Sequence, residues 1–303
     1  MKRFSAKLFG KKSEKHPEKS ANQLFDRDGS HARRRVKSTV GRQERHPMEG
    51  YNPIDSYQTA ENYDQFHVRG DEQDTVNFLK ELANGGSALE LAIGTGRIAL
   101  PLFECGITVD GIDFSKAMVE KLKCKKNGNK LNVIVDDYKN VNICKKYNLI
   151  YIVFNTLFNL LTQDEQIECF ENVSNHLLEG GCFVVEGGMP TEFCNLPNNQ
   201  YVRLEGLTMK KAYLDVAIYD PVSQILDETH IGLSSEGTRL GQIVTRYAWP
   251  SELDLMAKIA GLKLVNRYSD WKKSPMKSNS SNCISVYKKI IAQPVYAPEP
   301  SAR

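Results

Sequence analysis

The stretch Ala88–Ile98, A-L-E-L-A-I-G-T-G-R-I, decides how the rest of the chain is interpreted. A short apolar run stops at Gly94, Gly96 follows one residue later, and a helical pattern begins at Arg97. Further along, a second apolar run ends in an acid, Asp113. A strand, a glycine turn, a helix, a strand and an acid in this order are typical of a nucleotide-binding βαβ unit. Glycines allow backbone amides to approach a ligand, and Asp113 can accept hydrogen bonds from a ribose diol.

Strands and helices alternate on both sides of this unit. The patterns predict strands over 87–93, 107–113, 131–135, 147–154 and 182–186, and helices over 71–83, 97–104 and 116–126, with a further helix from Asp164 to Leu177 that Gly180 and Gly181 break. Pro101 predicts that the second helix is kinked or starts late. Five strands alternating with helices indicate a doubly wound, parallel α/β sheet.

After residue 187 the pattern changes. Four segments between 201 and 249 alternate like exposed antiparallel strands, with turn signals between them, and predict a small β-rich insertion over about 195–249. Pro250 then begins a helix over 251–260, and strands over 262–268 and 283–289 follow. We therefore expect one domain over 51–290, with a core at 87–187, the insertion, and a C-terminal helix and strands at 250–290.

The composition is that of a soluble globular protein, with 41% hydrophobic and 25% charged residues among 303. The seven cysteines are odd in number and form no C-x-x-C pair, so we predict neither a disulfide framework nor a metal site. The sequence contains no apolar run of about 20 residues and no secretory h-region. These features predict a cytoplasmic protein without membrane contact.

The two ends of the chain differ from the domain between them. Residues 1–50 carry 14 basic and 6 acidic residues, a net charge of +8, which leaves −5 for the remainder. We expect this segment to be a disordered, solubilising basic tail. Its run Arg33–Lys37 suits nucleic acid, an acidic partner or a membrane surface as the alternative. Residues 291–303 contain three prolines and should form a loose tail.

Over about residues 57–290 the chain resembles the class I S-adenosylmethionine-dependent methyltransferases, in particular those that act on small molecules. The resemblance rests on the motifs E-L-A-I-G-T-G-R (90–97), G-I-D-F-S-K-A-M (111–118), V-D-D-Y (135–138), F-N-T-L-F-N-L (154–160), L-L-E-G-G-C-F-V-V-E (177–186) and the stretch 246–262. It implies a seven-stranded, mostly parallel Rossmann-like sheet, in which the last strand is antiparallel and lies between strands five and six. It also implies S-adenosylmethionine as cofactor and methyl transfer to an N or O acceptor on a small molecule.

A nicotinamide-binding Rossmann domain is the competing interpretation of the glycine turn. Gly94, Gly96 and Ala99 fit its fingerprint of G-x-G-x-x-G or A. Glu90 inside the first strand, Met118 after Asp113 and the Asp136-Asp137 pair after the third strand favour a methyltransferase instead. Two further alternatives are an RNA or protein methyltransferase that docks through the basic tail, and a binding module of the same fold that has no turnover.

The resemblance implies a role for each residue at the glycine turn. Glu90 should contact the methionine ammonium of the cofactor, and Gly94 and Gly96 should let the backbone pass close to it. Asp113 should bind the ribose hydroxyls through charge-assisted hydrogen bonds, and Met118 should pack on the adenine face. The structural alternatives are a satisfied internal carboxylate for Glu90, a helix-start acid for Asp113 and helix core for Met118.

Motifs later in the sequence are expected to contact the adenine and methyl ends of the cofactor. Asp136 should accept from the adenine amino group, with the Asp137 backbone at the ring edge. Phe154 and Asn155 end the fourth strand and should line the methionine and methyl end. We expect the insertion to cover the acceptor, with homodimerisation through the same strands as its competing role.

The catalytic residues are not fixed by any motif. A base is needed only if the acceptor is protonated, and the weak candidates are His67, His230, Glu186 and Asp270. The two aromatic residues Tyr57 and Tyr63 are candidates for a lid over the cofactor, or for ordinary packing. An amine acceptor would need only proximity and alignment.

Overall fold

The computed structural model describes residues 63–64, 69–193 and 196–290. The predictions for the tails 1–50 and 291–303, for Tyr57 and for His67 fall outside these residues. The described part of the chain contains eleven strands: β1 (Ser87–Leu91), β2 (Thr108–Ile112), β3 (Asn132–Ile134), β4 (Tyr147–Ile152), β5 (Leu177–Gly188), β6 (Gln200–Leu207), β7 (Lys211–Asp220), β8 (Ile225–Ser234), β9 (Gly237–Arg246), β10 (Leu262–Tyr268) and β11 (Asn282–Lys289).

Seven of these strands form one mixed sheet in the order β10-β11-β5-β4-β1-β2-β3. The β1–β2, β2–β3, β1–β4 and β4–β5 pairs are parallel, whereas β11 is antiparallel to both β5 and β10. The predicted doubly wound, mostly parallel sheet is therefore confirmed. The last strand, β11, is antiparallel and lies between β5 and β10, the sixth strand of this sheet in chain order, as the resemblance implied.

The helices are α1 (Glu72–Ala83), α2 (Ala99–Glu104), α3 (Lys116–Cys124), α4 (Gln163–His176) and α5 (Pro250–Ile259). Helix α2 begins two residues later than the apolar pattern suggested, because Pro101 is compatible only with the first turn, where its missing N–H has no intrahelical partner. The predicted continuation of α4 to Leu177 is wrong. Leu177 already belongs to β5, which runs through Gly180 and Gly181, with a register shift opposite Tyr147–Leu149.

Helices cover both faces of the large sheet, as buried parallel strands require. On one face, Val76 and Leu79 of α1 and Leu102 of α2 pack with Leu149 and Tyr151 of β4. The other face packs against α4 and α5 through the buried side chains Ile150, Ile152, Phe170, Val173, Phe183, Leu253 and Met256. Within the described residues, no helix is both long and apolar enough to cross a membrane.

The remaining four strands form a separate antiparallel sheet in the order β6-β7-β8-β9. This insertion follows β5, as predicted. Its last strand is tied to α4 and α5 at Arg246, whose guanidinium donates to the side-chain oxygen Oε1 of Gln166 at 2.8 Å and to Oε1 of Glu252 at 2.5 Å. The base of the insertion is therefore anchored to the helices of the domain, while its far end projects beyond them.

Candidate cofactor and acceptor site

The carboxyl ends of β1, β2 and β4 meet at one edge of the large sheet. Three non-glycine residues at the ends of β1 and β4 have left-handed backbones: Ala92 (φ 55°), Phe154 (φ 63°) and Asn155 (φ 60°). Such backbone conformations cost roughly 1–3 kcal/mol each and persist where the surroundings impose them, often at ligand sites. Strain at adjacent strand ends therefore marks this edge as a candidate site.

The glycine turn after β1 is fastened to the end of β2. The Gly94 N–H donates to Asp113 Oδ2 at 2.7 Å. Both glycines have positive φ values, +56° for Gly94 and +78° for Gly96. A Cβ on Gly96 would meet Leu100 and Leu122 at 3.0 Å, but a Cβ on Gly94 would enter open space. A side chain at Gly96 would therefore crowd Leu100 and Leu122, and Gly94 borders the space above the turn. The predicted cofactor contacts of both glycines stay predictions.

Asp113 is held in place from two sides. It is 5% exposed, and its Oδ1 accepts from the Ser115 N–H at 2.8 Å. Burial raises the pKa of Asp113, and its hydrogen bonds with the backbone N–H groups of Ser115 and Gly94 partly oppose that shift. The Ser115 side chain also caps α3 by accepting from the N–H of Met118, a buried residue. Asp113 and Met118 are thus positioned by the same helix start.

Asp136 and Asp137 lie beside Asp113. The Asp136 N–H donates to the Asp113 carbonyl oxygen at 3.2 Å, and Asp136 Oδ1 accepts from the Asp137 N–H at 2.8 Å. Asp137 in turn accepts from the Lys139 N–H at 3.0 Å. The Asp136 side chain is exposed. The structure therefore brings the predicted ribose and adenine residues together, although their contacts with a cofactor stay predictions.

Glu90 is buried inside β1, with 3% exposure. Its Oε2 accepts from the Tyr151 hydroxyl at 3.0 Å, because β4 places Tyr151 directly beside it. Burial raises the pKa of Glu90 to about 8, and the hydrogen bond from Tyr151 and the charge of Arg97 oppose the shift. Glu90 is thus a carboxyl group poised to ionise when a cation approaches. No sequence motif indicates Tyr151 as the partner, since only the strand pairing places it beside Glu90.

A second buried carboxylate supports the strained end of β4. Glu186 Oε2 accepts from the Phe154 N–H at 2.8 Å, and Oε1 accepts from Arg69 at 2.7 Å and from Asn282 at 3.1 Å. The guanidinium groups of Arg69 and Arg97 lie 5.3 Å and 5.1 Å from the centroid of the Phe154 ring. Both Glu186 oxygens therefore hold structural partners. Its role as a base stays a prediction.

Two residues ahead of α1 lie over the glycine turn. The Thr95 hydroxyl donates to Asp64 Oδ1 at 2.5 Å, and Lys125 of the α3 end pairs with Asp64 at 2.8 Å. Burial raises the pKa of Tyr63, and the charges of Arg97, Asp113 and Glu90 also act on it. Tyr63 thus lies close to the predicted cofactor residues, as the lid interpretation requires.

An aromatic column links the end of β4 with the insertion. The Phe158 and Tyr247 ring centroids are 4.9 Å apart, Tyr247 and Phe193 are 4.9 Å apart, and Phe193 stacks on Tyr201 at 6.4 Å. At the start of this column, the Asn155 Oδ1 accepts from the Gly188 N–H at 2.5 Å. The column is largely buried and therefore packs the end of β4 against one face of the insertion.

A cluster of polar side chains adjoins Tyr201, the residue at the insertion end of this column. Tyr201 donates to Glu228, and the His230 Nδ1 donates to Asp215 Oδ1 at 2.6 Å. Burial raises the pKa of Glu228, which the hydrogen bond from Tyr201 opposes. Ligand atoms of Asp215, Glu228 and His230 lie within 4.8 Å of one another. This brings the candidate base His230 together with two acids.

Asp270 is the remaining candidate base among the described residues. It accepts from the backbone N–H groups of Lys272 at 2.9 Å and Ser274 at 3.0 Å. The hydrogen bonds with Ser274 lower its pKa. These contacts fit a carboxylate that stabilises a turn, and a catalytic role for Asp270 stays a prediction.

Comparisons with known proteins address the family directly. The family described as "Methyltransferase domain" matches residues 88–181. The CcbJ methyltransferase from Streptomyces caelestis is 33% identical, and its structure aligns with 80% of this chain and 100% of its own at a TM-score of 0.75. This chain belongs to the class I S-adenosylmethionine-dependent methyltransferases. It is an enzyme whose cofactor is S-adenosylmethionine, and the nicotinamide alternative is excluded.

More distant relatives of this methyltransferase share its fold. The cypemycin N-terminal methyltransferase of a Streptomyces species is 23% identical over 205 residues, or 67% of this chain and 83% of its own. The S-adenosylmethionine-bound structure of CalS10, an amino pentose methyltransferase from Micromonospora echinaspora, aligns with 76% of this chain and 96% of its own. Its TM-score is 0.59 and its sequence identity is 16%. The structural alignment with CalS10 shows that the two proteins share a fold.

The site residues fit this cofactor chemically. Glu90 is a buried acid that a cationic ammonium can ionise, and Asp113 is a buried carboxylate at the end of β2. Open space above Gly94 leaves room for a ligand against the turn. Contacts that the sequence analysis missed, those of Tyr151, Arg69 and Asp64, all involve partners on other strands or segments. A local motif contains no signal for them.

Proposed function

We propose that this methyltransferase acts on a nitrogen or oxygen atom of a small molecule held between the carboxyl end of β4 and the insertion. The observation that carries the proposal is the aromatic column from Phe158 to Tyr201, with Tyr247 and Phe193 between them. It joins the carboxyl ends of β1, β2 and β4, here called the cofactor edge, to a half-buried surface of the insertion. This surface combines apolar and polar groups, as small-molecule sites do.

In this proposal each end of the cofactor has its own protein partners. Glu90 binds the methionine ammonium, Asp113 binds the ribose hydroxyls, and Met118 and Asp136 contact the adenine. S-Adenosylmethionine supplies an electrophilic methyl group on a sulfonium. The protein aligns the acceptor with that group and excludes water, which together account for most of what such a displacement requires.

Nitrogen is the first acceptor atom to test. Glu186 is the acid next to Phe154, and both of its oxygens already accept hydrogen bonds. An amine can lose its proton to solvent and then needs only alignment. The names of the cypemycin N-terminal and amino pentose methyltransferases also point to nitrogen. For a hydroxyl acceptor, His230, oriented by Asp215, is the candidate base among the described residues.

The test is methyl transfer from tritiated S-adenosylmethionine. The full chain is incubated with a panel of small amines, amino sugars and phenols and, in parallel, with transfer RNA and with a basic protein. We expect label in the small-molecule fraction, and none with an Asp113→Ala variant. A cytoplasmic location is part of the same proposal, because the cofactor is made there.

The main alternative is an RNA or protein methyltransferase that docks through the basic tail. It predicts labelled RNA or protein and a loss of that label when residues 1–50 are deleted. Because binding by a basic tail depends on phosphate contacts, the labelling of RNA should also fall steeply with salt. Polymer labelling with these two dependences, together with unlabelled small molecules, would overturn the proposal.

A further inference from the structure

The two faces of the insertion sheet differ in chemistry. Residues alternate between faces along each strand. The strand register places aliphatic residues opposite one another: Leu204 pairs with Leu214, and Leu214 pairs with Ile231. One face, here called the aliphatic face, carries Val202, Leu204, Leu207, Leu214, Val216, Ile218, Ile231, Leu233 and Leu240. The opposite face carries Tyr201, Asp215, Glu228 and His230. The aliphatic face is thus continuous across all four strands.

Much of the aliphatic face is open to solvent in the single chain. Val202 is 73% exposed, Leu207 and Leu240 are 70% exposed, Ile218 is 63% exposed and Leu204 is 55% exposed. Single exposed apolar residues are ordinary on protein surfaces, but a contiguous patch usually marks an interaction site. Here the side of the sheet that faces away from the aromatic column is the more apolar one, and packing among residues 63–64, 69–193 and 196–290 does not account for it.

The size of the aliphatic face suits a dimer. Side chains with these exposures leave on the order of 500 Å² of apolar surface in water, near the upper end of what monomers show. A standard interface buries about 800 Å² on each partner, of which somewhat more than half is apolar. The aliphatic face therefore supplies about the apolar area that a stable dimer needs, and its polar surroundings supply the rim.

The chemistry of the aliphatic face selects a partner of the same kind. All nine side chains are uncharged, and the neighbouring acid on this face, Asp227, already accepts from Gln242 at 2.9 Å. We propose that the aliphatic face packs against the aliphatic face of a second copy of this chain in a two-fold symmetric dimer. Two such sheets can stack face to face about 10 Å apart with interdigitated aliphatic side chains. The same patch serves both copies, as two-fold symmetry requires.

This dimer would brace the insertion beyond its anchored base. The strands that carry the aliphatic face also carry Tyr201, Glu228 and His230 on their other side. Packing against a second copy would hold that side in one shape while the cofactor edge stays untouched. The inference concerns assembly, and it stands whether the acceptor is a small molecule or a polymer.

The test is the mass of the full-length protein in solution. Light scattering after size exclusion, at tens of micromolar, should give twice 34.2 kDa for the wild-type chain. The double variant Leu204→Glu plus Ile218→Glu places like charges across the two-fold interface, so it should run as a monomer, with a dimer dissociation constant raised at least about a hundredfold. Both side chains are more than half exposed, so the monomer should keep its fold, which circular dichroism checks.

A matched control uses exposed apolar residues elsewhere. Leu255 and Ile259 of α5 are 62% and 58% exposed, and the variant Leu255→Glu plus Ile259→Glu should remain a dimer. A wild-type chain that stays monomeric would overturn the proposal, as would a dimer that survives in the Leu204→Glu plus Ile218→Glu variant. A wild-type monomer that binds anionic vesicles through the aliphatic face, detected by flotation, would overturn the dimer proposal and assign this face to a membrane surface.

Discussion

The carboxyl edge of the large sheet and the insertion sheet both place acids beside aromatic side chains, but they bury them differently. Glu90 and Asp113 are 3% and 5% exposed, and burial raises the pKa of each. On the insertion, the His230 side chain is 54% exposed and that of its partner Asp215 is 18% exposed. Glu90 and Asp113 are therefore desolvated, whereas the proposed acceptor side keeps contact with water.

The two regions also differ in how they are assembled. The partners Glu90 and Tyr151 lie 61 residues apart in sequence and meet only through strand pairing. On the insertion, Asp215 and His230 lie 15 residues apart on consecutive strands of a meander. A meander can change its side chains without disturbing the crossovers of the large sheet. Cofactor binding and acceptor choice should therefore be separable in this protein, and variants can test this directly.

The largest effect is expected for Asp113→Ala at the cofactor edge. The change removes the proposed ribose contacts and also releases the Gly94 N–H and the Ser115 N–H, which both donate to this carboxylate. A buried charge-assisted pair contributes on the order of 3 kcal/mol, so the affinity for S-adenosylhomocysteine should fall at least about a hundredfold. Isothermal titration calorimetry measures it.

Asp110→Asn is the matched control for this variant. Asp110 is a buried acid on the same strand, and it accepts from Lys145 at 2.7 Å and from Tyr147 at 2.9 Å. It lies in the middle of β2 and its partners lie at or just before the start of β4, away from the glycine turn, so its replacement should leave cofactor affinity unchanged even where stability falls. Equal losses in the two variants would mean that Asp113 acts on folding and not on the ribose.

The next effect is a pH dependence at Glu90. In the cofactor-free protein its pKa is about 8, so the group is protonated below that pH. Binding of an ammonium needs the carboxylate and must release this proton. The affinity for S-adenosylhomocysteine should therefore decrease as pH falls below 8, by up to about tenfold per pH unit, and level off above 8. Titration at several pH values measures the slope.

Glu90→Gln separates this effect from other titrations. The amide cannot ionise, so cofactor affinity should be weaker at pH 8 and its slope below pH 8 should disappear. Because the folded pKa lies above the ordinary value of 4.5, the cofactor-free wild-type protein should also lose stability as pH rises from 4.5 to 8. An unchanged binding slope in the variant would assign the proton to a different group.

The sequence predicted the elements of the cofactor edge well, for physical reasons. Buried strands and glycine turns have strong local signals, so β1, the turn at Gly94 and the acid at Asp113 were placed correctly. The antiparallel β11 came only from the family resemblance. The end of α4 was misplaced, because Leu177 continues the helical spacing although its side chain is buried in β5.

Contacts between segments were beyond the sequence. The Glu186 carboxylate accepts hydrogen bonds from Phe154 and Arg69, which lie 32 and 117 residues away in the sequence. No local pattern indicates such a cluster. The left-handed backbone of Phe154 was equally unpredictable, since glycine is the residue that usually indicates this conformation and the Phe-Asn pair contains none. The polar cluster of the insertion could not be predicted, because alternation gives the faces of strands but not which side chains meet.

The smallest effect on the cofactor is expected for Glu228→Gln on the insertion. Its partner Tyr201 can still donate to the amide oxygen, so the sheet should keep its fold. Because Glu228 pairs with Tyr201 on the insertion and, within the described residues, has no hydrogen bond to the β1 and β2 ends, affinity for S-adenosylhomocysteine should change less than about twofold, within about 0.4 kcal/mol. With the acceptor found in the tritium assay, KM should rise, since the cluster loses a carboxylate that faces the acceptor. Tyr219→Phe, on the same face but outside this cluster, is the matched control and should leave KM unchanged. A large loss of cofactor affinity in Glu228→Gln would show that the two regions are coupled, and the separation between them would then fail.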